Sequence, residues 1–308
     1  MPGTVYHYAE LTQPQLLALD RERTLALMAL SPLETHGPHL PLGTDVFIAE
    51  ALRDRVIAKL QAERPDLDCL VLPSVHLGAD PIPAPGSVKI DSRAIHLLLV
   101  STAASLAGLG FKWLVVTDNH GGARHQAATE KAVRKAWKKH HFALVCPFLG
   151  FYRRMAEHDP ALLEFTGTAP RSCGDIDDAH AGTNETSLML AVAPDKVARD
   201  WKDVPQATIN RDNRLYRLLS LVGALLGPLG VEPLGRDLEY MGSGLSWQNA
   251  DPMPPYMGAP ALADPERGRR MLDAHADEAV AQVRRALEGK PPFSTPLLWG
   301  LRFAEPSR

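Results

Sequence analysis

Short apolar runs alternate with longer amphipathic segments along the first half of the chain. A short, nearly continuous apolar run is typical of a buried strand, and apolar residues three and four apart are typical of a helix. The pattern predicts strands at 23–30, 69–75, 112–117 and 142–146, and helices at 46–60, 92–109 and 123–139. Because parallel strands need a crossover connection, this alternation predicts a layered α/β/α fold, with helices on both faces of a mostly parallel central sheet.

The second half of the chain is less regular. Apolar periodicity predicts helices at 184–192, 213–226 and 265–287, and Gly/Pro-rich turns follow the second of these. No internal repeat or evident linker divides the sequence. We therefore predict one domain over residues 1–308, in which residues 200–250 are a candidate insertion or oligomer contact.

Charge and hydropathy narrow the class of partner. Lys and Arg total 33 against 36 Asp and Glu, and the net charge of -3 provides no basic surface for nucleic acid. The longest apolar stretch, residues 94–109, is shorter than the ~20 residues that cross a bilayer. We predict an enzyme with no nucleic-acid or membrane partner.

The N-terminus and the cysteines indicate the compartment. The first residues lack the basic and apolar parts of a secretory signal. Cys69, Cys146 and Cys173 are far apart, odd in number and without CxxC spacing, so they indicate neither a disulfide framework nor a zinc knuckle. Both observations predict a cytoplasmic protein.

The segment after the first predicted strand contains Glu34, His36 and Asp45 in a Gly/Pro-rich loop. Residues two apart on an extended segment point to the same side, so Glu34 and His36 are able to face one ion. Imidazole with carboxylates suits Zn²⁺ or Mn²⁺ better than Ca²⁺ or Mg²⁺. An acidic, histidine-containing surface loop is the alternative, and this segment alone does not separate the two interpretations.

A second polar segment, residues 119–122, follows the strand predicted at 112–117. His120 is there a metal ligand, a base, or a residue that satisfies local backbone groups. Gly121 and Gly122 allow the backbone to approach a ligand or to present N–H groups to an oxyanion. Ligand sites gather beyond the C-terminal ends of parallel strands, so we predict a functional role for His120. His125, on the following helix, is predicted to lie behind the site or at the surface.

A third polar segment opens the helix predicted at 184–192. By itself, this segment favours a purely structural role for Glu185, as a first-turn carboxylate that complements the helix dipole. The functional alternative makes Glu185 a metal ligand and His180 a proton donor.

Taken together, these segments resemble the creatininase family of metal-dependent amidohydrolases. The motifs occur in the family's order and cover about residues 20–195, with a weaker counterpart at 250–288. They are ETHGPHLPLGTD at 34–45, PGS at 85–87, NHGG at 119–122, HAGxxETS at 180–187 and YMGxP at 256–260.

The resemblance implies a layered α/β domain that binds two divalent metal ions per chain, foremost Zn²⁺ with Mn²⁺ as the alternative. By their match to the family's motifs, the implied metal ligands are Glu34, His36, Asp45, His120 and Glu185. Asp45 would bridge the two ions. His180 matches the family's proton-donating histidine, and we expect Asp177 or Asp178 to orient it. Many members are homohexamers, so the resemblance implies a homohexamer here.

The implied function is a binuclear metal-dependent hydrolase. It would cleave an amide or cyclic-amide C–N bond of a small molecule, other than a peptide bond, by attack of hydroxide generated at the metal ions. Backbone N–H groups near Gly121 and Gly122 would bind the oxyanion. Hydrolysis of a keto-sugar or cyclitol ring is the first alternative, and a non-catalytic metal-binding scaffold is the second.

Two departures from the family's pattern bear on the substrate. Enzymes of the family that open creatinine have a glutamate two residues after the strand-end histidine, where this chain has Gly122. This difference argues against creatinine and transfers the carboxylate role to Glu185. Ala123 replaces the asparagine that commonly follows the two glycines, so we expect a different substrate contact there.

Overall fold

A computed structural model describes residues 3–175, 177–208, 214–226, 232–291 and 293–296. Five parallel strands form one sheet in the order β1-β3-β2-β4-β5. Their bounds are Val5–His7 (β1), Thr24–Ala29 (β2), Asp68–Val71 (β3), Trp113–Thr117 (β4) and Ala143–Val145 (β5). The predicted α/β fold with a parallel central sheet is confirmed.

Ten α-helices lie in the described parts of the chain. They are Gln13–Ala18 (α1), Thr44–Glu63 (α2), Ser92–Gly108 (α3), Ala123–His140 (α4), Phe148–Ala156 (α5), Pro160–Thr166 (α6), Thr183–Val192 (α7), Arg214–Leu226 (α8), Glu232–Gln248 (α9) and Pro265–Leu287 (α10). On the flanks of the sheet, α3 packs against α4, while α2 packs against α7 and α10. Each strand and helix predicted from the apolar pattern is present, with its ends shifted by a few residues.

The centre of the sheet is also the centre of the core. All six residues of β2 are buried, and Ala26 lies opposite Leu70 of β3 on one side and Leu114 of β4 on the other. A strand covered on both faces has no side that tolerates polar residues, which explains its continuous apolar sequence. This rigid centre fixes where β2 and β4 end.

The apolar pattern did not predict β1, α1, α5, α6 or α9. β1 is a three-residue edge strand on which Val5 and His7 are exposed, so it carries no hydrophobic run. α9 replaces the turns predicted after residue 226. Its glycines disfavour a helix, but Gly235 lies against Gly223 of α8 so closely that a Cβ at Gly223 would lie 2.6 Å from the Gly235 carbonyl oxygen. Close packing of the two helices therefore overrides local propensity.

The segment at 200–250 that was predicted to be an insertion or oligomer contact contains α8 and α9. Residues 209–213 and 227–231 lie outside the described residues. Leu218, Leu221 and Leu225 are more than half exposed and share one face of α8. The single domain, the insertion and the homohexamer stay predictions. No helix in the described residues is both long and apolar enough to cross a membrane.

Candidate metal centre

Five predicted ligands meet beyond the C-terminal ends of β2 and β4. Glu34 and His36 follow β2, and His120 follows β4. Asp45 and Glu185 lie in the first turns of α2 and α7. Parallel strands end at the same edge of the sheet, so residues far apart in the sequence meet there.

One group of donor atoms consists of His36, Asp45 and Glu185. His36 Nε2 lies 3.5 Å from Asp45 Oδ1 and 3.7 Å from Glu185 Oε2. All three donor atoms lie within 4.8 Å of one another. Imidazole with two carboxylates is a donor set that suits Zn²⁺ or Mn²⁺.

A second group consists of Glu34, Asp45 and His120. His120 Nδ1 lies 3.0 Å from Glu34 Oε2 and 3.6 Å from Asp45 Oδ2. Asp45 thus belongs to both groups and presents Oδ1 to the first and Oδ2 to the second. This is the arrangement expected of a carboxylate that bridges two ions.

Backbone carbonyls set the tautomers of both histidines. A carbonyl oxygen only accepts, so His36 Nδ1 donates to the Glu34 carbonyl at 2.9 Å and His120 Nε2 donates to the Ala79 carbonyl at 2.8 Å. The other ring nitrogen of each histidine points at the carboxylates, and it carries the lone pair whenever the ring is neutral. Metal-binding histidines are typically oriented in this way.

Three atoms of the two groups test whether a metal fits. Glu34 Oε2, His36 Nε2 and Asp45 Oδ2 are fully buried, and none has a hydrogen-bond partner in the described structure. Buried polar atoms without partners are costly, and all three face the space between the ligands. The residues present therefore fit two divalent cations.

The charges of the site favour cations as well. Burial lowers the pKa of His36, but the carboxylates of Asp45, Glu185 and Glu34 outweigh it and raise the pKa to about 10. The pKa of His120 is raised in the same way by Glu34 and Asp45. Burial opposes the charge on Asp45, yet the two histidines hold its pKa below the usual range. Without metal, imidazolium therefore provides positive charge beside Glu34 and Asp45 and lowers the pKa of both, whereas burial raises the pKa of Glu185.

Residues around the ligands hold them in place, and the sequence alone did not identify them. Asn119 Nδ2 donates to Asp45 Oδ1 at 3.0 Å and to Glu185 Oε1 at 2.8 Å. Asp118 Oδ1 accepts the His120 backbone N–H at 3.0 Å and the Ser31 hydroxyl at 2.6 Å. Asp118 and Asn119 directly follow the end of β4, and that position was the only signal for them in the sequence.

His125 belongs to the same buried layer. It is fully buried, its Nε2 lies 3.3 Å from Asp118 Oδ2, and its Nδ1 accepts the Ala79 N–H at 3.3 Å. Of the two positions predicted for it, the structure places His125 behind the site.

The structure places His180 beside the first group of ligands. Its ring centroid lies 4.2 Å from that of His36, and its Nδ1 lies 3.9 Å from Glu185 Oε2. Nε2 donates to the Thr35 carbonyl at 2.7 Å, so Nδ1 is the ring atom available to take up or release a proton.

The expectation that Asp177 or Asp178 orients His180 is wrong. Asp178 instead accepts the N–H groups of Thr183 and Asn184 at the start of α7, which need partners outside the helix. Asp177 Oδ2 accepts from Arg171 at 2.9 Å. The Thr35 carbonyl takes the orienting role.

Gly121 and Gly122 differ in their surroundings. A Cβ at Gly121 would meet no atom within 4 Å. A Cβ at Gly122 would clash with His120 Nε2 and would lie 2.5 Å from the Ala79 carbonyl oxygen. This loop therefore has no room for a side chain at position 122. The contact of the Gly121 and Gly122 backbone N–H groups with an oxyanion stays a prediction.

A family model described as creatininase, creatinine amidohydrolase, matches residues 9–283. The chain belongs to the creatininase family. The resemblance inferred from the motifs is thus confirmed, and this creatininase-family hydrolase contains the two groups of candidate metal ligands described above.

Curated relatives carry the name mycofactocin precursor peptide peptidase. The protein of Mycobacterium tuberculosis (strain ATCC 25618 / H37Rv) is 32% identical over 265 residues, which cover 84% of each chain. That of Mycolicibacterium smegmatis (strain ATCC 700084 / mc(2)155) is 34% identical over 181 residues. The latter match spans 57% of this chain and 61% of the relative, so it covers less than two thirds of that protein.

Solved structures share the fold at low identity. A putative creatinine amidohydrolase from Bacteroides fragilis NCTC 9343 is 17% identical, with a TM-score of 0.63 over 92% of this chain and 96% of its own. A structure described as "Creatininase Mn" is 19% identical, with a TM-score of 0.60 over 94% and 100%. A mutant creatininase described as "Zn-Zn type" is 19% identical, with a TM-score of 0.59 over 93% and 98%.

Proposed function

We propose that this protein is a binuclear metal-dependent amidohydrolase that cleaves an amide bond of a peptide. The observation that carries the proposal is the pair of ligand groups sharing Asp45, with the ring of His180 beside them. Two divalent ions held by these groups would activate water and polarise the amide carbonyl.

The residues of the chain divide the remaining work. Asp45 fixes the spacing of the two groups, because one oxygen faces each. The Thr35 carbonyl holds the His180 ring, so that Nδ1 faces the site, where it would take a proton from the attacking water and pass it to the departing nitrogen. Backbone N–H groups at Gly121 and Gly122 would stabilise the developing oxyanion.

A peptide replaces the small-molecule amide implied by the motifs as our preferred substrate. The relatives that match 84% of this chain at 32% identity are named peptidases. The absence of room for a side chain at 122 separates this loop from that of the creatinine-opening members. A linear amide and a cyclic amide place the same demands on the ligands, so the preference depends on these two observations.

The test is an assay of metal-loaded protein on a panel of substrates. The panel contains a mixture of unstructured peptides, creatinine and a keto-sugar, and mass spectrometry identifies the products. We expect new peptide termini, with no turnover of creatinine or keto-sugar. Turnover of only the keto-sugar would contradict the amidohydrolase, and turnover of only creatinine would contradict the peptide.

Two variants connect turnover to the site. Glu185→Gln should bind one ion fewer per chain and lose activity, because it removes a charged ligand from the first group. His180→Ala should keep both ions, and its rate should fall roughly 10²–10⁴-fold, which is the usual contribution of a positioned general acid. His7→Ala is the control, since His7 is exposed on β1. Full activity in His180→Ala would remove it from the mechanism.

A further inference from the structure

A second cluster of potential metal ligands lies apart from the candidate metal centre. His158 follows α5, and Cys173 and Asp175 lie in the segment between α6 and α7. Donor atoms of these three side chains lie within 4.8 Å of one another. None of the three belongs to the two groups that share Asp45.

Burial makes this cluster unlike a surface assembly of polar residues. Cys173 and Asp175 are each only 1% exposed. Asp175 Oδ2 accepts from His158 Nε2 and from the Arg171 backbone N–H, each at 2.7 Å. Its other oxygen, Oδ1, is buried and has no hydrogen-bond partner in the described structure. A buried carboxylate oxygen without a partner costs free energy, and a bound metal ion would supply the missing partner.

The chemistry of the three donors selects the ion. Thiolate, imidazole and carboxylate are all common ligands of Zn²⁺. Ca²⁺ and Mg²⁺ prefer oxygen ligands, so the thiolate argues against them. The side chain of His158 is 40% exposed and gives the cluster an opening to solvent. A metal entering there would displace the proton of the Cys173 thiol, as zinc binding to cysteine generally does.

We propose that His158, Cys173 and Asp175 form a zinc site separate from the candidate metal centre. Its role would be structural, because it joins the end of α5 to the segment that leads to α7. Gly174, between two of the ligands, donates its N–H to Asp178 at 3.2 Å. Asp178 in turn holds the start of α7, the helix that carries Glu185. The zinc would thereby support the geometry of the neighbouring centre.

A Co²⁺ titration of metal-free protein tests the site. Co²⁺ occupies zinc sites, and a thiolate bound to it absorbs strongly in the near-ultraviolet. The candidate metal centre contains no sulfur ligand, so this absorption reports only on the cluster with Cys173. We expect three Co²⁺ per chain and the thiolate band in the wild type. A wild type without the band would overturn the proposal.

Variants assign the band to the three residues. Cys173→Ser and His158→Ala should each lose the band and reduce the bound Co²⁺ from three to two per chain. His158 is partly exposed, so its replacement tests the site even where Cys173→Ser does not fold. Cys146→Ser is the matched control, because Cys146 is also buried and free. A band that persists in Cys173→Ser or disappears in Cys146→Ser would refute the assignment.

Glu185→Gln separates this proposal from the amidohydrolase. That variant should lose an ion from the candidate metal centre and keep the thiolate band. In the wild type, a thiolate band without hydrolysis of any peptide would support the zinc site and count against the proposed function. Hydrolysis without the band would do the reverse.

Discussion

Asn119 and Glu185 are 66 residues apart in the sequence and are joined by a 2.8 Å hydrogen bond from Nδ2 to Oε1. The same Nδ2 donates to Asp45 Oδ1 at 3.0 Å. One amide therefore positions two carboxylates of the first ligand group. Its own position is fixed by the end of β4.

Asn119→Ala should weaken metal binding although Asn119 is not itself a predicted ligand. Loss of a residue that orients a ligand typically costs about 10–100-fold in metal affinity. Calorimetric titration of the metal-free protein with Zn²⁺ or Mn²⁺ measures the change. Asn249→Ala is the control, because Asn249 is exposed and, among the described residues, its side chain donates to the Leu245 carbonyl on its own helix end. Equal affinities in both variants would show that Asn119 has no positioning role.

Gly122→Ala and Gly121→Ala should differ sharply in their metal content. A Cβ at 122 would clash with His120 Nε2 and would lie 2.5 Å from the Ala79 carbonyl oxygen, which separates the hydrogen-bonded pair that orients His120. Elemental analysis should find one ion fewer per chain in Gly122→Ala. At Gly121, a Cβ meets nothing within 4 Å, so that variant should keep both ions of the centre. The prediction fails if the two variants bind the same amount of metal.

The contribution of His36 to the stability of the metal-free protein should fall as the pH rises above 6.5. The pKa of His36 is raised from 6.5 to about 10, so its protonated form favours the folded state. That stabilisation is complete below pH 6.5 and is lost as the pH rises through about 10. Urea unfolding at several pH values should show the wild type's advantage over His36→Gln shrinking across this range. A constant difference would contradict the raised pKa.

Acid should destabilise the protein through His275. Burial lowers the pKa of His275 to about 3, and its ring stacks on Phe151 with centroids 4.4 Å apart. The folded state therefore prefers the neutral ring, a contribution present above pH 6.5 and lost as the pH falls toward 3. Each pKa unit corresponds to about 1.4 kcal/mol, so the total is on the order of a few kcal/mol.

His275→Leu should consequently unfold at a lower pH than the wild type. In the described structure, Nε2 of His275 has no hydrogen-bond partner, so replacing the ring with leucine breaks no hydrogen bond at Nε2. Circular dichroism during an acid titration measures the midpoint. His7→Leu, at an exposed position, should leave the midpoint unchanged. An unshifted midpoint in His275→Leu would show that another group controls acid unfolding.

The sequence by itself determined four of the five strands, most of the helices and the places where candidate ligands follow strands. Apolar runs and their period depend on neighbouring residues, so β2, β4 and the positions of Glu34, His36 and His120 were predictable. The family's motifs then favoured functional roles for Asp45, His180 and Glu185, which the local patterns had left open. For Glu185, the local sequence alone favoured a residue that merely complements a helix dipole.

Only the tertiary structure decided how these side chains meet. In the folded chain, Asp178 accepts from the start of α7 and the Thr35 carbonyl accepts from His180. Packing also places His158 beside Cys173 and Asp175. It also formed α9 against α8 despite its glycines. Periodicity reports which face of an element is buried, whereas a hydrogen bond or a metal site depends on distances between atoms of distant segments. Those distances are fixed by packing, which no local pattern in the sequence records.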